Sequence, residues 1–224
     1  MVTLVALVVA VGVVAVSARV SVSVPGSPVP QSLQTLGVVL VGAGLGWLRG
    51  GAALVLYLLV GAVGVPVFAD GAAGAAHLVG PTAGYLMGFV LAAAWVGWGV
   101  ERTCFAAMSP AHSSESPALD PARTGSLFAR AFLVMVLGHV LILGLGWLRL
   151  ALEYGTIGGY EAGVLPFLWG GVAKSAVGAA GWAAWTARTA RMVGTARMSR
   201  TSRTAWMPSP TRDIPMNPRP KANE

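Results

Sequence analysis

Charge is what this sequence has least of: 10% of its 224 residues are charged, and only eight of those are acidic. Soluble domains carry about a quarter charged residues, so this composition excludes an ordinary cytosolic globule. The single cysteine, Cys104, excludes a disulfide within the chain and any cysteine-based metal site. His77, His112 and His139 are widely separated, with no HExxH-type spacing, and no Walker A sequence is present to cradle ATP. No Ser/His/Asp or paired-carboxylate arrangement stands out, and the few acidic residues leave little material for general acid–base work. The expectation is a protein that is not an enzyme and holds no metal or permanently bound cofactor.

What the chain has instead is 55% hydrophobic residues, a mean hydropathy of +0.71 and 30 glycines. A spanning helix needs about 20 mainly apolar residues. Six segments approach that standard: Met1 to Ala18, Leu33 to Leu48, Gly51 to Val65, Gly80 to Val100, Leu127 to Leu150 and Val164 to Thr186. The first reads as a retained helix. Ala15-Val16-Ser17-Ala18 looks cleavable, but no basic region precedes the apolar run as in a signal peptide. The second and third are short and meet at Arg49-Gly50, which reads as a turn. Residues 101–124 and 151–163 read as loops, and 66–79 as a Gly/Ala-rich connection.

The fold class is therefore all-α, an integral membrane protein with six transmembrane helices. Residues 1–190 form the membrane domain and 191–224 a basic, disordered cytoplasmic tail. Residues 188–224 hold eight basic and two acidic groups, so +6 of the net +7 lies there. Those cations cover no folded face, which argues against nucleic-acid binding. Six spans put both termini on one side. That side receives Arg49, Arg102, Arg123, Arg130 and the eight tail cations, against Arg19 and Arg149 on the other. The positive-inside rule then makes both termini cytoplasmic.

Within the apolar segments, polar residues and glycine faces mark packing or function. Gly80, Gly84 and Gly88 recur every four residues, letting helices approach closely. Gly170, Gly171, Lys174, Gly178 and Gly181 share one helix face. A lysine near mid-membrane costs about 2.5–3.5 kcal/mol on insertion scales, so it faces the protein interior or a cavity. Two roles fit Lys174: a structural one, snorkelling or pairing with a backbone carbonyl, or donating to a polar ligand. His139 reads mainly as a helix–helix hydrogen bonder, with ligand contact as the alternative. Gln34 and Thr35 fit either a helix cap or a donor into a pocket. VPVFADGAAG (Val65 to Gly74) and GPTAGYLMGF (Gly80 to Phe89) place Phe68, Tyr85 and Phe89 beside turn-forming Pro66 and Pro81. On the proposed topology these loops and the start of the last helix line one outward-facing, mostly apolar pocket.

At these motifs the sequence resembles the BioY family. The likeness runs through SPVPQSLQTLGVVLVG (Ser27 to Gly42), RGGAALVLYLLVGAVGVPVFADGAAG (Arg49 to Gly74), GPTAGYLMGFVLAA (Gly80 to Ala93) and LPFLWGGVAK (Leu165 to Lys174), in the same order. The resemblance implies a biotin-binding substrate component of an energy-coupling-factor transporter in the cytoplasmic membrane. It also implies a transmembrane coupling subunit and two ATPase subunits as partners, with ATP used there. On this reading Val67, Phe68, Tyr85 and Phe89 bury the ring and valeryl chain of biotin. Lys174 meets a polar end of the ligand, and Thr82 is an auxiliary hydrogen bonder. The family typically carries an aspartate where this chain has Gly171, Ile/Val-Thr in place of Gln31-Ser32, and a small residue at Asp70. Asp70 is therefore a candidate replacement acceptor. The departures leave two alternatives open: the same fold serving another vitamin or a biotin precursor such as desthiobiotin, or a ligand-free membrane scaffold.

Overall fold

The structure is a computed structural model that describes residues 2–108 and 121–204, with side chains over 2–103 and 124–189. Five helices account for most of it: α1 (Val2–Ala18), α2 (Gln34–Ala62), α3 (Ala83–Met108), α4 (Pro121–Gly163) and α5 (Leu168–Thr204). The described residues hold three helical stretches long and apolar enough to cross a membrane, Gln34–Ala62, Ala83–Thr103 and Thr124–Thr189, beside the shorter apolar Val2–Ala18. This is a mostly helical, multi-pass membrane protein.

The breaks inside the long helices do more than their number suggests. Gly46 in α2 adopts φ +80° and ψ 176°, a region essentially confined to glycine. A Cβ on Gly50 would lie 3.0 Å from Cα of Gly42. Eight residues of straight helix rise about 12 Å, so the chain reverses here. The two helices expected before and after Arg49-Gly50 are thus the arms 34–45 and 47–62 of a hairpin. Its turn is at Gly46, because that glycine takes the positive φ while Arg49 and Gly50 remain helical.

A second reversal corrects the loop expected at 151–163. Gly155 has φ +74°, and a Cβ on Gly159 would sit 2.7 Å from the Ala151 nitrogen. Residues 156–163 are therefore helical and fold back along the end of α4. The expected loop at 101–124 is shorter as well, since α3 reaches Met108 and α4 begins at Pro121; its centre, with His112, lies outside the described residues. The backbone of α5 continues to Thr204, beyond the boundary expected at residue 190. Ala, Arg and Met there favour helix, and no proline interrupts before Pro208.

Packing follows the small residues. A Cβ on Gly88 would lie 2.8 Å from Cα of Ile142, and one on Gly84 2.8 Å from Cβ of Arg149, so α3 and α4 touch backbone to backbone. Gly80 lies ahead of α3 and takes no part in that face. On α5, Gly171 faces His139 and Gly178 faces Met135, whereas Gly181 is open. The main core joins α1, α2, α3 and α4 around Val14, Val38, Leu54, Tyr57, Ala92 and Ile142. Above it, the antiparallel pairs Ser21–Ser32 and Val22–Gln31 tie the two ends of the first loop together.

Candidate functional site

The connection from α2 to α3 is a folded loop, held by its own backbone and by a buried tyrosine. Phe68 N–H donates to the Ala72 carbonyl at 3.0 Å, and Gly71 N–H returns to the Phe68 carbonyl at 3.1 Å. Tyr57 donates its hydroxyl proton to the Val67 carbonyl at 2.7 Å and accepts from Gln34 Nε2 at 2.6 Å. That chain braces the loop against both arms of α2. A Cβ on Gly61 would strike the Phe68 ring, so the glycine makes the space in which Phe68 lies edge-on to Tyr57, centroids 5.6 Å apart.

Beneath this loop lies a cavity of about 250 Å³, slightly below the usual range for ligand sites. Phe68, Tyr85 and Phe89 form apolar walls, and Phe167 joins them opposite Tyr85, ring centroids 6.2 Å apart. Tyr85 cannot swing freely, because its hydroxyl donates to the Gly163 carbonyl at 2.5 Å. Thr82 and Asp70 also reach the cavity. Asp70 is exposed, in a left-handed conformation (φ +56°), and its carboxylate accepts from the Ser21 hydroxyl. Arg19 donates to the Pro66 carbonyl at 2.6 Å, so the first loop and the α2–α3 loop are tied by two polar contacts.

Lys174 enters from α5. Its Nζ donates to the Ser32 carbonyl at 2.6 Å and to Thr35 Oγ1 at 3.2 Å. An ammonium has three protons, so one remains for the cavity that Lys174 lines. Both roles considered from sequence are therefore compatible: the lysine is paired with backbone and retains a donor.

Six of the seven residues expected at the site, Lys174, Tyr85, Thr82, Phe68, Phe89 and Asp70, line this one cavity. Val67 does not. Its side chain packs in the main core, and its carbonyl anchors Tyr57; alternation along the extended loop turns it away when Phe68 faces in. Gln34 is a buried brace, while Thr35 does reach the cavity. Phe167 was missed, although it stands in the LPF turn (Leu165–Phe167) at the head of α5, where a proline-led 3-10 turn aims an aromatic ring back at α3. Pro28 and Val29 from the first loop were missed for lack of any periodic signal.

Residues 1–191 match the BioY family. The chain belongs to that family. Among BioY relatives, a "Probable biotin transporter BioY" of Pyrococcus horikoshii is 33% identical over 78% of this chain and 89% of its own length. The biotin transporter BioY2 of Lactococcus lactis is 28% identical over 75% of this chain and 81% of its own. The biotin transporter BioY of Thermotoga maritima is 47% identical over a shorter stretch, 36% of this chain and 48% of that one. In fold, the chain resembles the solved S-component for biotin from an ECF-type ABC transporter, with a TM-score of 0.67 at 19% identity, covering 82% of this chain and 90% of that one. BioY membership makes this a transporter protein and not an enzyme.

Proposed function

We propose that this chain captures biotin at the outer face of the cytoplasmic membrane and passes it inward, as the substrate-binding component of an energy-coupling-factor transporter. The observation that carries the reading is the cavity: the rings of Phe68, Tyr85 and Phe89 and the Lys174 ammonium line one space, in a BioY chain. Phe68, Tyr85 and Phe89 take the apolar ring and valeryl chain. Lys174 donates its remaining proton to a polar end of the ligand, and Thr82 adds a hydroxyl. Burial of apolar surface at about 25 cal/mol per Å² supplies the attraction, and the few polar groups set orientation.

The two arms of α2 make six membrane crossings with α1, α3, α4 and α5, and both termini are cytoplasmic. Without a Walker A sequence the chain has no ATP site of that kind, so the transport step draws on two ATPase subunits through a transmembrane coupling subunit. That subunit meets α1 and the cytoplasmic helix ends. The basic segment after residue 190 holds the C-terminus against anionic lipid.

Equilibrium binding of labelled biotin to the purified full-length protein tests this. Saturable binding is expected, weakened about tenfold or more by Lys174→Ala, since a hydrogen bond to a charged group contributes about 1.5–3 kcal/mol. No saturable binding by the wild-type protein overturns the reading.

A further inference from the structure

One buried polar atom in the cavity wall has no partner among the described residues. His139 on α4 is 5% exposed and lines the cavity, yet its Nε2 has no hydrogen bond among the described residues. The other ring nitrogen is fully engaged. Nδ1 lies 3.0 Å from the Met135 carbonyl and 3.0 Å from Ser175 Oγ. The carbonyl can only accept, and the single Ser175 hydroxyl proton is given to the Gly171 carbonyl at 2.9 Å. Both neighbours therefore call for the proton to sit on Nδ1. A neutral imidazole has one N–H, so Nε2 is a bare lone pair.

The wall beside it is bare too. A Cβ at Gly171 would stand 3.5 Å from His139 Cδ2, the ring carbon bonded to Nε2, in ordinary van der Waals contact. Any side chain at 171 would thus cover the imidazole edge, and glycine leaves it open to the cavity that both residues line. Burying an acceptor with no partner is unfavourable, and that cost disappears when a ligand donor fills the position.

We infer that His139 Nε2 accepts a hydrogen bond from an N–H of the transported ligand, across the wall opened by Gly171. This rests on biotin capture as proposed above, where the donor is a ureido N–H. Lys174 then supplies a donor and His139 an acceptor to one cavity, the complement of a cyclic urea, which carries both a carbonyl and N–H groups. Ser175 and Met135 act through His139 by holding its tautomer.

The test uses full-length protein labelled with 15N-histidine, the His139 resonances being assigned by their loss in His139→Asn. Adding biotin should move the Nε2 resonance toward that of a hydrogen-bonded nitrogen while Nδ1 stays in place. His139→Asn keeps a group near Nδ1 and lacks Nε2, so it should bind biotin about tenfold more weakly. His139→Gln, whose amide reaches the Nε2 position, should recover part of the loss. Biotin bound by the wild type with Nε2 unmoved overturns the inference and leaves the capture reading standing, whether or not the variants fold. If the wild type binds no biotin, the capture reading falls, and imidazolidin-2-one, the bare cyclic urea, becomes the probe. A shift of Nε2 with that compound supports the inference; silence overturns it.

Discussion

The hexapeptide GLGWLR occurs twice, at Gly44 to Arg49 and at Gly144 to Arg149, and the two copies fold differently. In the first, Gly46 reverses the chain at φ +80°, Trp47 is 51% exposed and Arg49 is exposed. In the second, the same residues run on as unbroken helix. Gly146 is buried against the ring of Tyr85, Trp147 Nε1 donates to the Thr156 carbonyl at 3.0 Å, and Arg149 pairs with Glu153 at 3.1 Å and with the Val79 carbonyl at 3.0 Å. What differs is the neighbour. Gly97 lets α3 reach the backbone of the turn at Gly46 and Trp47, whereas α3 presents Tyr85 to Gly146 and asks only for the absence of a Cβ. Six identical residues carry no preference strong enough to resist either demand.

Five substitutions would break or sharpen that contrast. Gly146→Ala should act most strongly, because its Cβ enters the ring of a tyrosine already tethered to Gly163. Overpacking of this kind costs about 1–3 kcal/mol. Biotin affinity should fall more than about tenfold, since the displaced ring is a cavity wall; unchanged affinity in a binding titration would remove Tyr85 from the site. Gly46→Ala should cost about 1–3 kcal/mol in backbone strain, and its Cβ also meets the Glu101 carboxylate. Here the thermal midpoint should drop while the folded fraction binds biotin as before, which separates a hinge glycine from a cavity glycine. Tyr85→Phe loses the hydroxyl that fixes the ring, about 1 kcal/mol, and a several-fold loss of affinity in the same titration is expected. Smallest is the tryptophan pair. Trp147→Phe should lower stability by about 0.5–1.5 kcal/mol through its lost N–H bond, while Trp47→Phe should stay within about 0.5 kcal/mol of the wild type in thermal unfolding.

Much of the cavity lining could be read along the chain, because Phe68, Asp70, Thr82, Tyr85 and Phe89 fall in two short motifs. Lys174 was conspicuous for a different reason: in a nearly uncharged span, one ammonium has to be accommodated by something. The placements that differ from expectation cluster where a residue's direction depends on which way a loop turns. Val67 and Phe68 are adjacent and both apolar, and only the anchoring of the Val67 carbonyl by Tyr57 decides which of them faces the cavity. Asp70 lines the cavity but is engaged by Ser21, whereas His139, whose mid-helix position fits a helix–helix hydrogen bond or a ligand contact, presents the acceptor in the wall.

Hydropathy and charge determined the class of protein, since each residue's transfer energy into lipid is its own and adds along the chain. Repeated small residues likewise announced close helix contacts before any partner was known. The cavity belongs to the tertiary structure alone. Lys174 meets a carbonyl 142 residues away, and a histidine nitrogen with no partner among the described residues lies beside a glycine on another helix. Relations of that kind are distances between segments, and no local pattern records them.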